Sequence, residues 1–402
     1  MGDSVCCDCV GEPFLVHEIS QDGHSDECVI CGEYKKCTSL HDLKQKIECL
    51  FDEYIRPGGI IYNYDSDSPQ FDHQEGDDLQ FWIATVLDTD ENEDIVEAVH
   101  DQFMKDAGFE FMSQGESRYN CDARYIRSPV LPPIAEVKWT EFTDEIRYSR
   151  RFFCEGAKPF LDWLFKDIAD YLVPGSANEK AIYSVESVAI FRARIYHSSA
   201  DFEAISKNPK KELFIAPKEK ALAGRMNPSS IAAFYGSFDR ETCVAELRPP
   251  VGGTVVSGKF NIIRPLRVLD FTKLADIFHP HRLSYFDPSF MENECRIQFL
   301  ESLHEKISMP ILPSQTEDYL TTQVIAEYLS SYLSIEAVLY SSAQIEEGSN
   351  IVIFSPATDA LAYATNSIVR HKILKVQYET DSQSYEDGEP ENIDFEPDNW
   401  SF

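Results

Sequence analysis

The sequence predicts an α+β protein: a mixed α/β domain at the C-terminal end, preceded by a mainly helical domain and a small cysteine-rich head. Three observations carry that reading. Six of the eleven cysteines fall within the first 37 of 402 residues. From about residue 41 to 172, apolar residues recur at helical spacing. After "VPGSANEK", short runs rich in β-branched and aromatic residues alternate with helical ones. A chain of 402 residues exceeds one ordinary core and fits two or three domains.

Bulk properties narrow the function classes. A hydrophobic fraction of 43% with 26 phenylalanines is ample for globular cores. No stretch approaches the roughly 20 apolar residues that span a bilayer, so no membrane is expected. The first 30 residues are acidic and cysteine-rich, the opposite of a signal peptide, which predicts a cytoplasmic protein. The net charge of −33 repels phosphates over the whole surface and excludes nonspecific binding to nucleic acid or anionic membranes. A local basic pocket would stand out against that background.

Residues 1–40 form the head. Cys6-x-x-Cys9, eighteen intervening residues and Cys28-x-x-Cys31-Gly32 match the spacing of a four-cysteine zinc site. Each CxxC turn presents two thiolates on one side, and a d¹⁰ cation closes the tetrahedron around a segment too short for a core of its own. Cys6, Cys9, Cys28 and Cys31 are the expected ligands of a structural Zn2+, with Cys7, Cys37 and His24 as substitutes. Four protein ligands leave no open position for a substrate.

Residues 41–175 form the helical domain. "LHDLKQKIECLFDEYI" places Leu43, Ile47, Leu50, Phe51 and Tyr54 on one face, and "AKPFLDWLFKDIADYL" does the same with Phe160, Trp163, Leu164, Ile168 and Leu172. "DIVEAVHDQFMKDAGF" is a further helix. The acidic "YDSDSPQFDHQEGDD" and the proline-rich "RSPVLPPIAE" read as connections.

Residues 176–378 carry the mixed domain. Strands are expected at "VAIFRARIY", "AAFYGS", "GTVVSGKFNII", "LRVLDF", "EAVLYSS", "NIVIFSP" and "ILKVQYE". Helices are expected at "DRETCVAEL", "SFMENECRIQFLESLHEKI" and "EDYLTTQVIAEYLSSYL". Residues 379–402 hold no lysine or arginine and read as an acidic, disordered tail.

The chemistry concentrates in "AGRMNPSSIAAFYGSFDRETCVAELRP". Arg225, beside Gly224, offers a bidentate grip for a pyrophosphate. Tyr235 follows an apolar strand and supplies a flat ring with a directional hydroxyl. Glu246 lies four residues after Thr242 on a short helix, so both face one side. An anion grip, an aromatic platform and a carboxylate together suggest a site for a phosphate-bearing ligand.

This segment resembles the RES family of toxins, named for its arginine, glutamate and serine. "FRARI" resembles the family's first arginine-bearing strand, "YLTTQVIAEYL" its Y-x-x-T-Q helix, and "EAVLYSSAQIEEGSNIVIF" its closing strand, serine, loop and asparagine. The four motifs stand in order over about 170 residues. The resemblance implies an ADP-ribosyltransferase-like fold and consumption of NAD, by hydrolysis, by phosphorolysis or by transfer of ADP-ribose to a protein. It implies Glu246, Tyr235, Arg225 and Ser342 as catalytic residues, with Ser341 as the alternative serine. It also implies contacts to NAD from Arg192 (or Arg194), Arg225, Asn227, Tyr235 and Ser342. An Xre-type antitoxin is the implied protein partner. A non-catalytic module that senses NAD or ADP-ribose is the reading of another class; the intact carboxylate disfavours it.

The head and helical region are similar to the HEPN-like extension of some RES proteins. "RARIYH" has the arginine-to-histidine spacing of HEPN ribonucleases, but it falls in a predicted strand, which argues against a nuclease there.

Overall fold

In the computed structural model, described over residues 3–61, 73–89, 93–114, 119–120, 122–128, 133–149, 156–174, 179–278, 283–308 and 319–377, the head is built on three antiparallel strands. β1 (Ser4–Cys6) and β2 (His24–Glu27) flank the central β3 (Tyr34–Ser39). α1 (Cys7–Val10) and α2 (Pro13–Asp22) link β1 to β2. Pro13 opens α2, where its missing N–H costs nothing, and the Glu12 carboxylate accepts from the Leu15 amide.

Ser39 caps α3 (Leu40–Tyr54), and the face read from the sequence is the buried one: Leu43, Ile47, Phe51 and Tyr54. β4 (Ile55–Pro57) and β5 (Ile60–Ile61) follow; β5 pairs with β6 (His73–Gln74). α5 (Glu93–Gln114) packs against both α3 and α4 (Leu79–Leu87), and β7 (Tyr125–Arg127) returns to pair with β4. Val5, Val10, Leu15 and Ile19 of the head join Phe51, Ile83, Ile95 and Phe103 in one hydrophobic cluster. The head therefore shares its core with the helices that follow it.

The later helical residues pack elsewhere. α6 (Ile134–Asp144), a π-helical turn over Glu145–Ser149, and α7 (Ala157–Leu164) bury Phe142, Phe160, Leu161 and Leu164. These join Leu269, Val338 and Val352 of the C-terminal sheet, and Phe271 just after β12, in a second cluster. The expected boundary between residues 175 and 176 lies outside the described residues, as does the tail at 379–402.

The C-terminal sheet has nine strands: β8 (Ile182–Val185), β9 (Ala189–Ile195), β10 (Ala233–Ser237), β11 (Thr254–Ile262), β12 (Leu266–Asp270), β13 (Ala337–Ser341), β14 (Ser349–Phe354), β15 (Leu361–Tyr363) and β16 (Val369–Lys372). Their order is β15-β11-β9-β10-β14-β13-β12-β8, with β16 also on β11. All pairs are antiparallel except β12 with β13. Between strands lie α8 (Ser199–Lys207), α9 (Pro209–Glu212), α10 (Arg240–Ala245), α11 (Phe290–Ser308) and α12 (Tyr319–Tyr332). Helices α6, α7, α11 and α12 cover one face, and Ile205, Leu213 and Phe214 cover Phe234 and Phe260 on the other.

Over its described residues, 373–377, the segment "ILKVQYE" does not form the expected strand; its last two residues lie outside the described residues. β16 ends at Lys372 because its partner begins at Thr254, with the Pro250–Gly253 turn beyond it; Ile373 closes the ladder against Gly252 and Gly253. β9 and β10 pair only at Phe191 with Ser237, whereas β9 pairs over seven residues with β11. Among the described residues, no helix is long and apolar enough to cross a membrane.

Candidate functional site

Glu246 stands at the C-terminal cap of α10, a short helix capped at its start by the Asp239 carboxylate. The half-buried Glu246 carboxylate is held from two sides. Ser342 Oγ donates to its Oε1 at 2.5 Å, and Asn350 Nδ2 donates to the same oxygen at 2.8 Å. Asn350 is buried, and its Oδ1 accepts from Ser237 Oγ at 2.7 Å, which fixes the orientation of the amide. A chain Ser237–Asn350–Glu246 thus runs from β10 through β14 to α10. Among the described residues, no hydrogen bond engages Glu246 Oε2. The two serines diverge: Ser342 meets Glu246, while Ser341 Oγ lies 3.2 Å from His304 Nε2 on α11. Thr242 packs its buried hydroxyl against Gly348, where a Cβ would stand 2.7 Å from Thr242 Oγ1.

Arg225 sits in the loop before β10, and this loop is tied on three sides. Asn227 Nδ2 donates to the carbonyls of Leu222, Pro228 and Ile231, so the amide serves as the loop's hub. Tyr235 Oη donates to Asn227 Oδ1 at 2.6 Å and accepts from the Met226 amide at 2.9 Å. Burial pushes the Tyr235 phenol up to about 12, against the opposing pull of the Met226 N–H and of Arg225, so it remains a donor. Gly224 approaches this pair so closely that a Cβ would lie 2.5 Å from Tyr235 Oη. The Arg225 guanidinium donates to the Ile307 carbonyl near the end of α11 and lies 5.9 Å from the centre of the Tyr340 ring. Burial raises the Tyr340 phenol above its ordinary value too.

Arg192 and Arg194 have different surroundings. Arg194 pairs with Glu212 at 3.5 Å. Arg192 lies over the Phe234 ring at 4.9 Å, and its buried Nη1 has no hydrogen-bond partner among the described residues. Burial, and Arg194 beside it, lower the Arg192 guanidinium to about 10. A buried cation without an anion is costly and is unusual outside sites that bind one.

The head gathers a second constellation. The thiols of Cys6, Cys9, Cys28 and Cys31 all lie within 4.8 Å of one another. Cys6 Sγ and Cys31 Sγ are 3.8 Å apart, matching the edge of about 3.8 Å that a tetrahedron with metal–sulfur bonds of about 2.3 Å requires. Gly11 and Gly32 close the two turns at φ 73 and 72, the left-handed region that glycine adopts without strain. Burial raises Cys6 and Cys9. Burial opposes ionisation of Cys28 as well, but the amides of Cys31, Cys6 and Ile30 outweigh it and bring that thiol down to about 6. Cys37 turns instead to the carbonyls of Asp26 and Lys35, Cys7 to Asp8, and His24 to Ser4.

Sequence reading alone did not name Ser237, His304, Thr322, Gln323 or the Ile307 carbonyl. Asn350, Thr322 and Gln323 were visible within the motif segments; the carbonyl leaves no side-chain signature. "RARIYH" places Arg192 and Arg194 on β9 and not on a helix.

Residues 194–374 match the family model of the RES domain. No curated protein matches the chain. Among solved structures, it is similar to the MbcT–MbcA toxin–antitoxin complex of M. tuberculosis, at 14% identity, covering 52% of this chain and 93% of that one, with a TM-score of 0.29.

Proposed function

We propose that this RES domain is the enzymatic part of a toxin that binds NAD and breaks the bond between nicotinamide and its ribose. The observation that carries this reading is Glu246, a carboxylate oriented by Ser342 and Asn350 while one of its oxygens remains available. When the C1′–N bond breaks, the electron pair leaves with nicotinamide and the ribose acquires oxocarbenium character. A fixed negative charge stabilises that developing cation without reorganising as the bond breaks. The nucleophile, whether water, phosphate or a protein side chain, then adds to C1′ and gives up its proton.

The cationic groups suit the other half of the molecule. Arg192 brings a guanidinium with an unpartnered nitrogen, and Arg225 brings a second that needs only to leave a backbone carbonyl. Both fit a pyrophosphate. The Tyr235 hydroxyl is spent on the loop, so its contribution to a ligand is the ring face. Asn227 likewise acts by shaping the loop that presents Arg225.

The thiol cluster fits Zn2+ held by Cys6, Cys9, Cys28 and Cys31, with a structural role. The resemblance to RES toxins further supports a separate antitoxin protein as partner.

Incubating the protein with NAD, with and without phosphate, tests the reading. Free nicotinamide is expected, together with ADP-ribose, its 1″-phosphate or ADP-ribosylated protein; the second product identifies the nucleophile. NAD recovered intact under all conditions would refute the proposal.

A further inference from the structure

The loop 221–231 has almost no regular backbone pairing of its own: its main internal bridge joins Gly224 to Asn227. Two of its consecutive carbonyls are taken by neighbouring side chains of α12. Gln323 Nε2 donates to Gly224 O at 2.8 Å, and Thr322 Oγ1 donates to Arg225 O at 2.5 Å. The Thr322 hydroxyl has another acceptor 3.1 Å away, the Tyr319 carbonyl, so its proton is shared toward the shorter contact. Thr322 is buried, and α12 is pinned beneath it by Ile325, Ala326 and Leu329 in the core.

From this geometry we infer that Thr322 and Gln323 are positioning residues for Arg225. Side chains at i and i+1 on a helix diverge, so two adjacent residues reach two successive carbonyls only if the loop crosses the first turn of α12 in one register. That register sets where the Arg225 Cα sits and therefore where its guanidinium can reach. Asn227 closes the loop on itself and Tyr235 ties it to β10, whereas α12 holds the two carbonyls that flank the Arg225 Cα. The side-chain types follow from the task, since both contacts need a donor and the Thr322 site has room for a hydroxyl beside a methyl. The inference rests on Arg225 being a ligand-binding group, as proposed above, for its functional half only.

The full-length protein and its Thr322→Val, Thr322→Ser and Gln323→Leu variants provide the test, read in two ways. Hydrogen exchange of peptides covering 221–231 reads the anchoring without any ligand. Thr322→Val and Gln323→Leu should speed exchange there by about tenfold, the equivalent of one hydrogen bond, with Thr322→Ser close to wild type. Unchanged exchange in both disrupting variants would overturn the inference. NAD titration reads the consequence: each disrupting variant should bind about tenfold more weakly. Combined with Arg225→Ala, it should add nothing further, because the group being positioned is gone. Fully additive losses would overturn the positioning role. If the wild type binds no NAD, the functional reading falls, and hydrogen exchange alone decides whether α12 anchors the loop.

Discussion

Ser342 and Asn350 converge on one oxygen of Glu246, at 2.5 and 2.8 Å. Both donors lie in or beside the antiparallel pair β13–β14, at either end of the connection from residue 342 to 348. Two donors on one oxygen localise negative charge and fix the carboxylate plane, while Oε2 has no hydrogen bond among the described residues. That arrangement distinguishes Glu246 from its neighbour Glu241, which is exposed on the first turn of α10.

Glu246→Gln should therefore lower kcat for NAD cleavage by about a hundredfold or more, the scale seen when one preorganised electrostatic group is removed. KM should change little, because the charge matters most once the sugar becomes cationic. Wild-type turnover by the folded variant would remove Glu246 from the mechanism.

Asn350→Ala should act in the same direction but less strongly, by about tenfold in kcat, since Ser342 still holds the carboxylate. It also leaves the buried Ser237 hydroxyl without its acceptor, so melting should fall as well. Ser237→Ala separates the two effects: it frees the Asn350 amide to rotate while leaving its donor in place. A kinetic loss in Asn350→Ala with none in Ser237→Ala means that proximity of the amide suffices; equal losses mean that its orientation matters.

Much of this site was legible in the sequence, and the illegible part has a physical pattern. Arg225, Tyr235 and Glu246 announce themselves because anion grip, aromatic ring and carboxylate are side-chain properties within one short segment. The α3 face and the strands β9 to β14 were readable because burial imposes a period on residue type. The partner of an amphipathic face carries no such mark. Nothing local shows that Phe142 and Phe160 pack beneath the C-terminal sheet while Leu43 and Phe51 pack with the head. The short strands β15 and β16 escape for a related reason: edge pairing to β11 decides them, and "LAY" or "VRHK" alone has no clear alternation.

Arg192 predicts a conflict between stability and binding. Its buried Nη1 is unpaired, so an apolar side chain of similar length should be tolerated better by the ligand-free fold. Arg192→Met should raise Tm by about 1–2 °C, which corresponds to about 1 kcal/mol in a chain of 402 residues, while weakening NAD binding. The lost stacking on Phe234 opposes the gain, and the expected shift is the net of the two. A lower Tm with unchanged NAD affinity would show that Arg192 serves the core.

Removing metal should act on the N-terminal core and spare the chemistry. Cys6 and Cys28 are buried, and Val5 and Leu15 tie the head to α3 and α5. Protein prepared without chelator should contain about one zinc per chain. Chelation, or Cys28→Ser, should speed hydrogen exchange from residue 3 to 128 while NAD turnover is largely retained. Less than a tenth of an equivalent of metal in protein purified without chelator would refute the site.

The two hydrophobic clusters determine where the chain can be cut. Every candidate NAD-site residue follows residue 190, which by itself suggests that a fragment of residues 176–377 would suffice. The packing argues otherwise. Phe142, Phe160, Leu161, Leu164 and Ile168 form one wall of the cluster that contains Leu269, Phe271, Leu300, Leu303, Val338 and Val352. Removing that wall exposes several fully buried side chains at about 1.5–3 kcal/mol each, against a total stability of about 5–15 kcal/mol. Leu303 and Ile307 lie on the C-terminal half of α11, whose last turns carry the Arg225 acceptor and His304. Damage to this wall therefore reaches the proposed site. A fragment starting at residue 133 keeps α6 and α7 and loses the contacts that Leu283, Tyr285, Phe286, Phe290 and Met291 make with the N-terminal cluster, together with the Arg127–Glu294 ion pair. The 133–377 fragment should fold and consume NAD, whereas the 176–377 fragment should aggregate or melt well below it. Circular dichroism with NAD turnover on both fragments decides the matter: a well-folded, fully active 176–377 fragment would mean that α6 and α7 are dispensable to the sheet they cover.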